Sequence, residues 1–408
     1  MNTFESLGLQ PGLLARLAQM GLSQPSPIQA RAIPAALDGR DVMGLAQTGT
    51  GKTAAFALPL IQALTAPGAQ RPQPKQARSL ILAPTRELAN QIADAVMEFA
   101  GDAKLKTTVV VGGAPIHPQI KRVGRGVDVL VATPGRLIDL LDRRALDLQE
   151  TRRLVLDEAD QMLDMGFIHA LRRIAECLPQ DRQTMLFSAT MPKQMADLAK
   201  AFLRNPERIE TDPPGQVASD IAQSVRFVAQ GDKTRLLVDL LGGHPGRQAL
   251  VFARTKRGVD RLTDALESAG FAVGGLHGDK RQRERERTIR AFRQGQIDVL
   301  TATDVAARGI DIPDVRFVYN YDLPNVPEAY VHRIGRTGRA GASGDAVAFC
   351  AMHEMDDLAA IQRTLGVELP VAGGAPWGPV GRPAGKRPGP AQKRHRPQQQ
   401  RRRNARAA

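Results

Sequence analysis

Aromatic side chains make up only 4% of this 408-residue chain, with one Trp and three Tyr among them. Scarcity on that scale argues against a platform on which successive bases of a single strand would stack. Cysteine is nearly absent. Cys177 and Cys350 fall in different expected domains with no metal-ligand spacing. That excludes a disulfide framework and reads as two core thiols of a reduced, cytoplasmic protein. No stretch of about eighteen apolar residues occurs, so no membrane span is expected. The first residues lack a basic segment followed by an apolar one, and no signal peptide is expected. No acidic residue follows Glu368.

That last absence shapes the charge. Ten of the 56 basic residues lie beyond Pro370, leaving 46 against 42 acidic ones before it, so most of the net +14 belongs to the tail. Residues 370–408 are rich in Gly, Pro, Gln and Arg and too poor in apolar residues to fold, so a disordered tail is expected. A basic arm on a near-neutral body suits a tether for a polyanion. A solubilising tail that binds nothing specific is an equal alternative. Trp377, alone among Gly and Pro, reads as incidental.

The length suits two domains with extensions. Between residues 40 and 210, short apolar runs alternate with amphipathic helical stretches, and each run stops at a polar or glycine-rich motif. The run at Leu154-Val155-Leu156, for example, stops at Asp157-Glu158-Ala159-Asp160. Such alternation implies a parallel sheet covered on both faces, with ligands bound beyond the carboxyl ends of its strands. A second series of the same kind follows the turn-rich Thr211-Asp-Pro-Pro-Gly215. The expected organisation is an N-terminal motif region at 1–30, a first domain at 31–210, a linker at 211–217 and a second domain at 218–369. The fold class is α/β, with two tandem sheets.

Chemistry concentrates in the first domain. Ala46-Gln47-Thr48-Gly49-Thr50-Gly51-Lys52-Thr53 is a phosphate-binding loop, although the strict pattern begins with Gly where Ala46 stands. Its glycines let backbone N–H groups face phosphate, Lys52 supplies a charge to the β/γ-phosphates, and Thr53 offers a hydroxyl to Mg²⁺. Asp157 is the expected second Mg²⁺ ligand, and Glu158 the group that orients or deprotonates water. ATP and Mg²⁺ are the implied cofactors. The second domain has no such loop but carries His332-Arg333-Ile-Gly335-Arg336-Thr-Gly338-Arg339. A helix from Tyr330 to about Thr337 would let Arg336 and Arg339 reach a γ-phosphate across a cleft, an effect worth about 10³–10⁵ in rate elsewhere.

Further motifs complete an ordered set: Gly21-Leu-Ser-Gln-Pro25-Ser-Pro27-Ile28-Gln29, Pro84-Thr85-Arg86-Glu87-Leu88-Ala89, Gly112-Gly113, Thr133-Pro134-Gly135-Arg136, Ser188-Ala189-Thr190 and Arg308-Gly309-Ile310-Asp311. From Phe4 to about Leu369 the chain resembles the DEAD-box RNA helicases, most closely the bacterial RhlE-type subgroup. The resemblance implies two RecA-like domains and ATP-dependent, local unwinding of short RNA duplexes by bending one strand. It implies that Gln29 bonds adenine, with Phe4 packed nearby, and that Asp311 faces the ribose. Leu22 stands where the family often has an aromatic residue, which weakens base stacking. By the same resemblance Arg86, Gly113, Thr133, Arg136, Arg254, Thr255, Gln282, Arg285 and Thr303 face RNA, and Ser188, Thr190, Asp160 and His332 couple hydrolysis to strand separation. Thr133 before Pro134 also reads as a helix N-cap. Contacts mostly to phosphate and sugar imply low sequence specificity. A monomer acting in ribosome assembly or RNA decay is expected. An ATP-gated RNA clamp and a DNA-translocating helicase are the rivals.

Overall fold

A computed structural model describes residues 3–46, 49–191, 193–211, 221–307, 315–338 and 343–377. The first lobe contains strands β1 (Val42–Leu45), β2 (Ala77–Leu82), β3 (Thr107–Val110), β4 (Val127–Ala132), β5 (Arg153–Leu156), β6 (Gln183–Ser188) and β7 (Glu207–Glu210). They pair in the order β3-β4-β2-β5-β6-β1-β7, and every pairing is parallel. Burial alternates across this sheet in the period of two that a strand imposes. Val129, Val131 and Val155 join one core with the helices Pro27–Leu37 and Lys52–Leu64, while Leu130, Ala132, Leu154 and Leu156 join the core beneath. Because both faces are covered, β4 and β6 are buried at every position. That is why they read as unbroken apolar runs rather than alternating ones.

The second lobe repeats the plan with β8 (Ile221–Phe227), β9 (Ala249–Phe252), β10 (Val273–Leu276), β11 (Val299–Ala302), β12 (Phe317–Asn320), β13 (Gly344–Cys350) and β14 (Val371–Gly373). Their order is β10-β11-β9-β12-β13-β8-β14. Both sheets are therefore seven-stranded, parallel and wound alike.

Three expectations need correction. The tail was expected to lose structure from residue 370, yet Val371–Gly373 pairs with the edge of β8, and Val225 N–H donates to the Pro370 carbonyl at 2.9 Å. An open strand edge offers backbone groups that any composition can satisfy. The arginine-bearing helix runs over Pro327–Ile334, not Tyr330–Thr337. Pro327 sets its first turn early, and the chain leaves the helix at Gly335. Thr133 does stand at an N-cap, but its hydroxyl makes no capping bond. The expected linker, from residue 212 on, lies outside the described residues. Among them no helix is long and apolar enough to cross a membrane, and both cysteines are free thiols.

Candidate active site

Strand order explains which motifs can act together. β5, β6 and β1 are neighbours, so the acidic run after β5, Ser188-Ala189-Thr190 at the end of β6 and the phosphate loop after β1 share one rim. The Ala46 N–H donates to the Ser188 carbonyl at 3.1 Å, and the Asp157 N–H to Leu82 at 3.0 Å, fixing these loop roots. The other half of the same sheet, β3-β4-β2, ends in Gly112-Gly113, Thr133 and Arg86. One sheet thus carries two ligand rims side by side.

In the phosphate loop, Gly51 caps the helix at φ +87°, and Lys52 opens it, buried. Lys52 Nζ donates to the Ala46 carbonyl at 3.0 Å, so the loop is held in a ring by its own lysine. Gln29 reaches the loop from the neighbouring helix. Its Nε2 donates to the Gly51 carbonyl at 3.0 Å while its Oε1 accepts from the Ser26 N–H at 2.9 Å. An amide carries two donors and two lone pairs, so half of its capacity remains for a base edge. Phe4 is buried in the core cluster shared with that helix. Gln47, Thr48, Asp311 and Arg339 lie outside the described residues.

The two carboxylates are unusual. Asp157 and Glu158 are both buried, and Glu158 Oε2 has no hydrogen-bond partner. Burial, then the neighbouring Asp157 charge, pushes the Glu158 carboxyl up to about 7, against the opposing pull of Lys52 and Arg336. Burial likewise raises Asp157, partly countered by Lys52. Glu158 also sits at φ +51°, ψ 52°, a left-handed conformation rare for a residue with a side chain. Strain held at a buried, unpartnered acid marks a functional position.

Asp160 ties this rim to the second lobe. Its Oδ2 accepts from the N–H groups of Ala189 (3.1 Å) and Thr190 (2.9 Å) and from the Thr190 hydroxyl (3.1 Å). His332 Nε2 of the second lobe lies 4.0 Å from the same oxygen. Ser188 Oγ donates to the Thr190 carbonyl at 2.7 Å, closing the motif on itself. Arg336 stands in the turn after the helix Pro327–Ile334, buried, and its charge is felt by Glu158.

The second rim faces its counterpart across the seam. Arg86 Nη1 donates to Gln282 Oε1 at 3.4 Å, Gln282 Nε2 to Glu87 Oε1 at 3.3 Å, and Arg285 pairs with Glu87 at 3.0 Å. A cavity of about 390 Å³ opens there, lined from both lobes by Arg86, Thr133, Arg136, Gly278 and Arg285. Like charges of Arg285 and Arg136, after burial, lower the Arg86 pKa. Three crowded guanidiniums suit a polyphosphate. Gly113, at φ +67°, leaves the room that the Arg86 guanidinium fills; a Cβ there would overlap it. Beyond the seam, Arg254, Thr255 and Thr303 line a second-lobe cavity of about 980 Å³. Thr255 caps its helix by accepting from the Gly258 N–H at 3.0 Å. Arg254 is bound to its own lobe, donating to the Leu323 carbonyl and to Asp357.

Comparison with known proteins decides the family. The DEAD/DEAH box helicase model matches residues 26–198, and the helicase conserved C-terminal domain matches 232–341. The DEAD-box ATP-dependent RNA helicase CshA of Bacillus licheniformis is 43% identical over 362 residues, 89% of this chain and 73% of that one. The chain belongs to the DEAD-box helicases.

Solved DEAD-box structures also inform the lobe arrangement. S. cerevisiae Dbp5 bound to RNA and ADP BeF3 is 36% identical, with a TM-score of 0.82 over 91% of this chain and 96% of that one. A Dbp5 variant bound to Gle1 and IP6 is 37% identical over 92% and 96%, but its TM-score is 0.74. Identity and coverage barely differ between the two, so the lobes here are disposed more as in the RNA- and nucleotide-bound form. A DEAD box protein from Methanococcus jannaschii is 38% identical over 90% and 98%, with a TM-score of 0.52.

Two features of this DEAD-box site were not legible as site residues. Glu87 bridges the lobes, and Arg333 is no phosphate ligand. Arg333 is buried in its own lobe, pairing with both oxygens of Asp304 (2.5 and 2.7 Å) and donating to Asn320 Oδ1 at 3.0 Å. Its density of neighbouring arginines signalled function, while its carbonyl, accepting from the Arg336 N–H at 3.2 Å, helps anchor the turn that holds Arg336.

Proposed function

We propose that the protein hydrolyses ATP in an RNA-stimulated manner and uses the cycle to unwind short RNA duplexes locally or remodel RNA–protein complexes. One observation carries the reading: the acidic rim and Arg336 belong to different lobes, and a cavity that holds Arg86, Arg136 and Arg285 is likewise lined from both lobes. A site split in this way is complete only when the lobes close, and RNA bound in the same seam favours closure. Hydrolysis is then linked to RNA binding through one equilibrium.

The roles follow from position. Lys52 and the loop N–H groups would hold the phosphates, Gln29 the adenine, and Glu158 would take the proton of attacking water. The donor set fits Mg²⁺, since Asp157 is a buried carboxylate whose burial raises its pKa and whose charge Lys52 offsets only in part. No cluster of three metal-type side chains exists among the described residues, so the ion would be held by Asp157, Thr53, water and phosphate oxygens. Bound there, it would neutralise charge on the β- and γ-phosphates. Asp160, Thr190 and His332 would report closure to the RNA rim. A cytoplasmic monomer acting in ribosome assembly or RNA decay remains part of this proposal.

The test is displacement of one strand from a short RNA duplex with ATP, compared with a non-hydrolysable analogue. Displacement that requires ATP, and an ATPase stimulated by RNA but not DNA, are expected. Binding without displacement would make the protein a clamp, and equal stimulation by DNA would make it a DNA helicase.

The basic tail is proposed as an RNA tether. Removing residues 375–408 should weaken RNA affinity and flatten its salt dependence, by at most about seven in slope for ten charges at roughly 0.7 each. Basal ATPase should stay intact. Unchanged RNA affinity would leave the tail a solubilising segment.

A further inference from the structure

At the end of the first lobe opposite both ligand rims lies a cavity of about 640 Å³ whose lining includes Arg71, Arg78, Arg152, Arg153 and the amides Gln73 and Gln76. Arg78 belongs to β2, Arg153 opens β5, and Arg152 precedes it, so the site sits at the amino ends of strands whose carboxyl ends carry the motifs described above. At about 3.3 Å per residue, four to six residues separate the two ends by roughly 13–20 Å.

The charges here are incompletely matched. Arg78 is satisfied by Asp128 at 2.8 Å, and the exposed Arg152 by Asp181 and Glu150. Arg153 has no carboxylate partner. One of its five N–H donors reaches Gln183 Oε1 at 2.7 Å, and that amide is otherwise committed to the carbonyls of Ala36 and Arg40. Burial and the adjacent Arg78 charge lower its pKa, so holding this cation here costs free energy. Arg71, exposed on the facing loop, makes no ion pair among the described residues.

The loop that brings Arg71 over the cavity is built rather than loose. Gln76 bridges to Asp147, and the Asp147 N–H donates to the Lys75 carbonyl at 2.7 Å. Lys75 is held at φ +61°. Gly126, at φ +75°, lies so close that a Cβ would overlap the carbonyl oxygens of Pro72 and Gln73. Strained backbone and a close glycine hold the Arg71 loop against the cavity that Arg153 also lines, and neither arginine has a carboxylate partner among the described residues.

We propose that this cavity is a second phosphate-binding site, taking a phosphate group between the guanidiniums of Arg71 and Arg153, with Arg152 at its rim. Guanidinium forks match phosphate oxygens in pairs, and the amides offer bonds to an attached sugar or base edge. The phosphate can come from a strand of RNA leaving the cleft and wrapping the lobe, or from a free phosphorylated small molecule. The strand is favoured, because RNA held in the cleft keeps its own flanking phosphates at high local concentration.

The full-length protein would be assayed with a non-hydrolysable ATP analogue and single-stranded RNAs of about eight and about thirty nucleotides. Arg71→Ala/Arg153→Gln should weaken the long RNA about three- to tenfold and lower its salt slope by up to about 1.4, for two charges at roughly 0.7 each. The short RNA and basal ATPase should change less than twofold. Because Arg153 is half-buried, Arg71→Ala/Arg152→Ala, confined to exposed side chains, serves as the fold-independent pair and should show the same selectivity. Protection of Arg71 and Arg153 from phenylglyoxal, read by mass spectrometry, distinguishes the sources. Protection by the long RNA supports the strand, and protection by millimolar pyrophosphate alone supports a free phosphate compound. Long-RNA affinity unchanged in both pairs, with neither phosphate probe protecting, or protection only by polyglutamate, overturns the proposal.

Discussion

Glu158→Gln should bind ATP and RNA nearly as the wild-type does, yet turn over about 10²–10⁴-fold more slowly, the usual contribution of a positioned general base. The substitution keeps the shape of the side chain and removes only its capacity to accept a proton. Two further consequences follow from a carboxyl pushed up to about 7 by burial and by Asp157. In the free enzyme kcat/KM for ATP should fall as the pH drops below about 7, because the base is then protonated. Stability should move the opposite way. A carboxyl whose folded pKa lies above its ordinary 4.5 contributes stability that is complete below about 4.5 and lost as pH rises through about 7. The nucleotide-free Glu158→Gln protein should therefore melt higher than wild-type at pH 8, by up to about 3 kcal/mol, with the difference closing towards pH 5. Steady-state ATPase and thermal melting at both pH values check this. Near-wild-type turnover of the variant would remove Glu158 from the chemistry.

Arg336→Ala should lower RNA-stimulated kcat by about 10³ or more, while ATP affinity of the resting enzyme changes only a few-fold. Lys52 and its loop lie on the first lobe and bind nucleotide without help, whereas Arg336 arrives only with the second. Its turn is anchored by the Arg336 N–H donating to the Arg333 carbonyl at 3.2 Å and by the Val315 N–H donating to its own carbonyl at 3.3 Å. The fork is thus delivered on a rigid mount. Arg336→Lys keeps the charge but not the paired donors, so it should recover no more than about tenfold. Single-turnover hydrolysis with saturating RNA is the measurement, with melting temperature as the control for folding. A loss below tenfold for Arg336→Ala would end its assignment as a finger.

Much of this was written locally in the chain. Apolar runs such as Leu154-Val155-Leu156 stop where a parallel strand stops, and the polar residues beyond them are the rims. Other features were invisible because they depend on strand order. Only the family resemblance grouped Thr190 with Asp160; the residues near Ser188 do not announce that β6 lies between β5 and β1, the placement that brings the two together. Glu87 was passed over since its partner Arg285 comes from another lobe, and one sequence carries no sign of such pairing. The helix boundary before Arg336 was misjudged because the expected span at Tyr330 took no account of Pro327, which opens the helix.

The short strand β14 covers part of an otherwise open sheet edge. Without it, β8 would end the second sheet as a seven-residue edge of open donors and acceptors, the kind of template that recruits a neighbouring molecule. Three residues at the start of an otherwise polar extension close part of that edge. A truncation at 369 would therefore create a sticky border where one at 374 leaves a sealed one, and the two should differ in solubility although neither touches ATP or RNA.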